Sequence, residues 1–360
     1  MQNGKIKVLV TDDSLVIRKF LVKMLSMDPD IEVIGTANNG AEAIEFIRKT
    51  KPDVITMDIN MPIMDGFEAT TNIMSEIPIP IVIVSSGYTI SETAKKFRAL
   101  EVGAVAILSL PYGSENPDYE ITMKRFVSTV KLMSQVKLIK RWNRSPNTVQ
   151  NKNQQESLLL IDEAQDAVSK VRILVIGASA GGPIALKEIM DNVPHSLPFP
   201  VIIVQHIDAE FTQDFADWLN LSSAIPVYIA EDGEILKPGK AYMAPGDHHI
   251  GVSAMDIAKV TKDVAESGLR PSVSFLFRAV RNIYRDKAIA VLLSGMGADG
   301  ASELKLLKDA GSITIAQDAA SSLIHGMPGE AIKLGGACHV LSPSQIVNFI
   351  QKCVLSLSNK

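Results

Sequence analysis

Twice along this chain, short apolar runs too brief for helices alternate with amphipathic stretches, and that alternation limits the fold more than any other feature. In the first half the runs Ile6–Val10, Ile31–Ala37, Val54–Met57, Ile81–Val84 and Val105–Leu108 read as buried strands. Helical patterns lie between them. Ser14–Met27 carries apolar residues at helical spacing (Leu15, Ile17, Leu21, Met24, Leu25), and Glu42–Lys49, Phe67–Glu76 and Ser91–Leu100 follow suit. Strands alternating with helices predict a parallel sheet covered on both faces. Right-handed crossovers then set the loops after the strands along one edge, where such sheets place their sites.

Helix-like sequence runs on through Tyr119–Trp142, after which composition changes. Residues 144–157 are polar and rich in Asn and Gln, so 144–170 reads as a linker. A second α/β alternation begins at Val171, with strands expected at Arg172–Ile176, Val201–Gln205, Val227–Ala230, Lys240–Ala244, Ala288–Leu293 and Ser312–Ile315. The expected organisation is therefore a first domain over 1–125 with a helical extension to about 143, a linker, and a second domain over 171–360. Hydrophobic residues at 46% and charged ones at 21% support real cores rather than global disorder. A net charge of −4 carries no basic excess that would argue for nucleic acid. Two cysteines, Cys338 and Cys353, make neither a disulfide framework nor a zinc site. No apolar run reaches the ~20 residues of a membrane span, and none precedes Ile6 as a secretion signal would. A cytoplasmic location is the expectation.

Asp12, Asp13 and Asp58 fall at the carboxyl ends of the first and third strands, hence on one edge. A lone Asp at a strand end commonly just starts a turn or caps a helix. Three together repel one another unless a cation sits among them, and all-oxygen ligation suits Mg²⁺. With Met61-Pro62, Asp65-Gly66, Val84-Ser85-Ser86 and Gly103-Ala104, these residues resemble the receiver domain of two-component response regulators over about residues 5–125. The resemblance implies a (βα)5 flavodoxin-like fold and a phosphoryl group accepted at Asp58 from a histidine kinase. It also implies Mg²⁺ in the pocket of Asp12 and Asp13, held by Asp13, Asp58 and the backbone carbonyl of Asn60, and Ser85 as the switch hydroxyl. The family's lysine before the proline after strand five is Leu110 here, and leucine cannot neutralise a phosphoryl charge. A weakened or phosphate-independent receiver is expected.

In the second half, Gly177-Ala-Ser179-Ala-Gly181-Gly182-Pro183 follows a strand directly and leads into a helix. A tight strand–turn–helix of this kind exposes a serine hydroxyl at a helix N-terminus, as a nucleophile requires. A Rossmann-type phosphate loop fits the same local pattern, and on this loop alone the two readings stand level. His206 ends the next strand, Val201–Gln205, at the same edge. The run Ala290–Gly300 enters another glycine-rich turn carrying Asp299, which suits either a helix cap or the orienting carboxylate of an imidazole. Together Ser179, His206 and Asp299 make nucleophile, base and orienter, in a chain order that differs from that of α/β-hydrolases.

With Pro245-Gly246-Asp247-His248-His249, Arg270-Pro-Ser-Val273, Ser294-Gly-Met-Gly-Ala-Asp-Gly-Ala301, Ala316-Gln-Asp318 and Gly326-Met-Pro328, the second half resembles the catalytic domain of the CheB family of chemotaxis protein-glutamate methylesterases, over about 171–355. The resemblance implies a doubly wound, mainly parallel α/β domain with the triad Ser179, His206 and Asp299 and with the Met296 N–H as oxyanion donor. It implies hydrolysis of glutamyl γ-methyl esters on chemoreceptor helices, deamidation of glutamine, control by the receiver and its kinase, and no cofactor for the esterase step. The alternative left open by Leu110 is a catalytically weak receiver-scaffold adaptor.

Overall fold

The computed structural model describes residues 4–85, 97–111, 119–136 and 168–358. The chain divides into two compact units, Met1–Trp142 and Asn143–Lys360. In the first, strands β1 (Ile6–Thr11), β2 (Ile31–Ala37), β3 (Val54–Met57), β4 (Ile81–Ser85) and β5 (Ala106–Ser109) form one sheet in the order β2-β1-β3-β4-β5. All neighbouring strands run parallel. Helices α1 (Leu15–Leu25), α2 (Gly40–Lys49), α3 (Gly66–Glu76) and α4 (Tyr119–Met133) accompany the sheet. Their starts follow capping chemistry: the side chains of Ser14, Asn39 and Asp65 accept the N–H groups of Ile17, Glu42 and Glu68. Of the helix expected through Trp142, Tyr119–Met133 is helical and a turn follows at Ser134–Gln135; residues 137–142 lie outside the described residues. The Ser91–Leu100 helix is described only from residue 97, and most of the 144–170 segment lies outside the described residues.

The second unit carries a seven-stranded sheet built from β6 (Ile173–Ala178), β7 (Val201–Gln205), β8 (Val227–Ile229), β9 (Ala241–Met243), β12 (Ala288–Leu292), β13 (Ile313–Gln317) and β14 (His339–Leu341). Its order is β14-β13-β12-β6-β7-β9-β8, parallel throughout. An antiparallel ribbon of β10 (His249–Ala254) and β11 (Ile257–Thr261) stands apart from the sheet. Helices α5 (Gly182–Asn192), α6 (Thr212–Asn220), α7 (Val273–Tyr284), α8 (Ala301–Asp309), α9 (Met327–Lys333) and α10 (Pro343–Ser358) complete it.

Chain order explains where the sites fall. From β1 the chain moves outward to β2 and then resumes on the other side at β3. From β6 it moves outward through β7, and later resumes on the other side at β12. Loops leaving such a pair of strands diverge, and the crevice between their carboxyl ends is where open α/β sheets bind ligands. One switch point therefore lies at the ends of β1 and β3, the other at the ends of β6 and β12. The floor beneath the second is dry: Val175, Ile202, Val204, Ala290 and Leu292 pack with Val273, Leu276, Phe277, Val280 and Leu304 of α7 and α8. Each of these side chains other than Ala290 contributes roughly 1.5–3 kcal/mol by leaving water. Among the described residues, no helix is long and apolar enough to cross a membrane.

Candidate active site

At the first switch point, Asp12 is buried and Asp58 is largely so. Asp12 accepts the Ser14 N–H at 2.8 Å, and Arg18 donates to the backbone carbonyls of Asp12 and Asp13. Burial and then the negative charge of Asp12 push the Asp58 carboxyl up to about 6, against the N–H bonds of Ile59 and Asn60. Burial likewise raises Asp12, with Asp13 adding to it and Ser14 and Arg18 opposing. The loop from Asp58 folds back onto itself. Gly66 N–H bonds the Ile59 carbonyl at 2.9 Å, and a Cβ on Gly66 would lie 2.1 Å from the Asp58 carbonyl oxygen, so only glycine fits. Leu110 follows β5 half-buried and brings no charge to the pocket. Ser85 ends β4 paired with Ser109 of β5, and its side chain lies outside the described residues. Among the described residues, no three His, Cys, Asp or Glu side chains converge into a metal site.

At the second switch point, Ser179 follows β6 in a turn whose N–H bonds the Ser294 carbonyl at 3.0 Å. Its carbonyl accepts the N–H of Gly182, at the head of α5. Gly181 takes φ +77°, and a Cβ there would meet Leu323 Cβ at 2.5 Å and Ser294 Oγ at 2.6 Å, so the turn needs a glycine on both counts. His206 extends β7 by one residue, its N–H bonding the Ala178 carbonyl at 2.9 Å, which sets it beside the Ser179 turn. The His206 Nε2 lies 2.9 Å from Asp299 Oδ2, both side chains more than nine-tenths buried. An ionised Asp299 can only accept, so Nε2–H donates to it and the proton-free ring nitrogen is Nδ1. Among the described residues, Ser179 Oγ has no hydrogen-bond partner, so no resting bond joins it to the imidazole.

Asp299 is held by more than the imidazole. Its Oδ2 also accepts the Val273 N–H at 2.7 Å, and its Oδ1 accepts the Ser274 N–H at 3.0 Å and the Ser272 hydroxyl at 2.9 Å. Burial alone would raise this carboxyl. The His206 bond and charge, with the Ser274 bonds, outweigh it and hold the group far below the usual carboxylate range. Asp299 thus caps a helix, though not the one that follows it in sequence. Helix α8 starts from Gly300 without a side-chain cap, whereas Asp299 reaches back to the head of α7. The reach is short because Val273 is wedged between two glycines: a Cβ on Gly177 would lie 2.3 Å, and one on Gly300 2.5 Å, from its Cγ1.

Met296 has an exposed side chain, and its N–H has no acceptor among the described residues. It sits next to Gly295, where a Cβ would lie 2.7 Å from Ser179 Cβ, so the loop after β12 presses directly on the serine. Ser294, absent from the sequence reading as a site residue, ties this together. Its N–H goes to Gln317, its carbonyl takes the Ser179 N–H, and its hydroxyl bonds the Ala180 carbonyl and receives the Ile324 N–H. Ser272 was legible as a cap, since it precedes the helical run Val273–Tyr284. The contacts of Ser294 span chain separations that no local pattern reveals.

The fold and the two crevices define a two-unit α/β protein with an acidic pocket in one sheet and a serine–histidine–aspartate grouping in the other. Residues 174–350 match the family described as CheB methylesterase, and residues 8–116 match the response regulator receiver domain. A Nitrosospira multiformis protein named protein-glutamate methylesterase/protein-glutamine glutaminase is 48% identical over 341 residues, 95% of each chain. A Geobacter metallireducens protein of the same name, numbered 4, is 48% identical over 343 residues, 95% of this chain and 97% of its own. The Thermotoga maritima CheB methylesterase catalytic domain, a crystal structure, is 38% identical with a TM-score of 0.49, covering 51% of this chain and 98% of that one. The chain belongs to the CheB methylesterase family, in the form that carries a receiver domain.

Proposed function

We propose that this chain hydrolyses glutamyl γ-methyl esters on chemoreceptors, and deamidates glutaminyl side chains, with Ser179 as nucleophile, His206 as base and Asp299 as orienter. The observation that carries this is the buried 2.9 Å imidazole–carboxylate bond beside the Ser179 turn at the switch point. His206 Nδ1 takes the Ser179 hydroxyl proton as Oγ bonds to the ester carbonyl carbon. The carbonyl oxygen becomes an oxyanion, to which the Met296 N–H is free to donate a hydrogen bond. Such a donor is worth about 10²–10³ in turnover. The C–O bond to the methoxy group then breaks, and methanol leaves with the proton from His206; for glutamine, ammonia leaves instead. Water, deprotonated by the same imidazole, attacks the acyl-enzyme and returns Ser179. The relatives' printed names support glutamyl esters and glutamine of a protein as the substrate class; chemoreceptor helices and a cytoplasmic location complete the reading. A bare scaffold role has no such support.

The receiver unit accepts a phosphoryl group at Asp58 from a chemotaxis histidine kinase. The donors suit Mg²⁺: the carboxylates of Asp13 and Asp58 and the Asn60 carbonyl are hard oxygens, and the ion keeps its remaining sites for water. The raised Asp58 carboxyl is the mark of a pocket short of positive charge. An ion held by these residues would neutralise charge on the carboxylates and on the phosphoryl oxygens. Ser85 is the hydroxyl expected to turn toward the phosphoryl group. The domain limits we propose are a receiver over 1–125 with its helical extension, a linker over 144–170 and the esterase domain over 171–360. A methanol-release assay on the intact chain, run with and without a small phosphodonor and Mg²⁺, tests the assignment. Ser179→Ala is expected to abolish release; turnover near the parent rate in that variant overturns the nucleophile.

A further inference from the structure

One side chain outside the proposed triad touches the backbones of both residues that must exchange a proton. Gln205 Nε2 donates to the Ser179 carbonyl at 3.0 Å and to the His206 carbonyl at 3.0 Å. A primary carboxamide has two N–H bonds, and here each one serves a member of that pair. The opposite orientation of the amide would aim its oxygen at two carbonyl oxygens, so the partners fix which atom points where. The other end is costly. Oε1 is buried without a partner, crowded under the head of α5, where a Cβ on Gly182 would lie 2.8 Å from it. An apolar side chain would avoid that unsatisfied acceptor, and the side chain is 4% exposed, so solvent gives no reason for an amide.

We propose that Gln205 is a positioning residue that clamps nucleophile and base to each other through their carbonyls. This rests on the reading of Ser179 and His206 given above. The two carbonyl oxygens can stand no further apart than two 3.0 Å bonds laid end to end. The strand ladder already fixes the amide side of His206 through its bond to Ala178, and Gln205 fixes the carbonyl side. The clamp matters because the Ser179 hydroxyl and the imidazole are joined by no resting hydrogen bond among the described residues. Their meeting relies on side-chain rotation within a rigid backbone frame. Drift of that frame by about 1 Å costs on the order of 10² in rate.

The test uses the full chain and two variants, Gln205→Leu and Gln205→Glu. Rates of methanol release are expressed per folded molecule, alongside the rate of covalent labelling of the serine by a phosphonofluoridate. The expected result is a kcat lower by 10- to 100-fold in Gln205→Leu with KM within twofold, and labelling slowed by the same factor. In Gln205→Glu the ratio to the parent rate rises as pH falls, because the neutral carboxyl regains one donor, whereas the Leu ratio is flat. Parent kcat per folded molecule in Gln205→Leu overturns the clamp, as does failure of both variants to fold, which would make Gln205 a structural residue. Ser179→Ala separates the two claims. If that variant still turns over, the site reading itself fails. If it is dead while the Gln205 variants run at parent rate, only the clamp falls.

Discussion

Replacing Asp58 by Asn should stabilise the receiver unit, and by an amount that depends on pH in a defined direction. In the native protein the carboxyl titrates at about 6, against 3.8 for the ordinary group, chiefly through burial and secondly through the charge of Asp12. A carboxyl raised by folding binds its proton more tightly in the native state. Between the two values the native state therefore holds more protons than the unfolded one, and stability falls as pH rises through that window. Above it the full penalty is present: at 1.36 kcal/mol per unit, and allowing for screening by the solvent that reaches the pocket, it is roughly 2–3 kcal/mol. Asn has the same shape and no charge. Asp58→Asn should accordingly gain roughly 2–3 kcal/mol over the parent at pH 8 and close to nothing at pH 4. Hydrogen exchange of the β1 and β3 amides in the intact chain reads the receiver's opening energy without requiring the two units to unfold together. Millimolar Mg²⁺ should shrink the difference by stabilising the parent alone. A gain that does not vary with pH, or a loss at pH 8, refutes the reasoning.

Four further outcomes follow from the same geometry. Asp299→Asn should lower kcat for methanol release by about 10³–10⁴ with the fold retained, since an amide facing Nε2 favours the wrong imidazole tautomer. Gly295→Ala should lower kcat at least tenfold and reduce the thermal midpoint, because its Cβ would lie 2.7 Å from Ser179 Cβ and 2.3 Å from Met327 Sδ. Leu110→Lys should bring the Asp58 titration, followed by carboxyl NMR, back below about 6 and increase the response of methanol release to a phosphodonor. Ser272→Ala should cost about 2 kcal/mol of stability through the lost cap of α7 and the lost hydroxyl bond to Asp299, measured by chemical denaturation.

Much of the architecture was legible because its central strands are buried on both faces. Val54–Met57 and Val201–Gln205, buried at every position, run over the very residues that their apolar pattern marked out. The edge strand Ile31–Ala37 does so too, with only its two end residues buried. The β10–β11 ribbon escaped notice for a physical reason. It turns at Met255–Asp256, with Asp256 at φ +59°, and lacks the Asn-Gly or Asp-Gly pair that announces a tight hairpin. Strand β14 is three residues with only Leu341 buried, too little to show a pattern. In the candidate site, Ser179 and His206 stood directly after apolar strands and Asp299 in the loop leaving another, so the topology brought their loops to one edge. The supporting residues were hidden. Gln205 looks like the last residue of a strand, and Ser294 like the small residue before a glycine. What they do depends on partners up to 114 positions away, a relation that no local spacing encodes.

The double duty of Asp299 has a mechanical consequence. The carboxylate bonded to the imidazole is also an acceptor for the opening turn of α7, so fraying there and releasing the ring are one event rather than two. With His206 as the proposed base, heat, denaturant or a tug transmitted along that helix is expected to silence turnover before the sheet beneath loses its order.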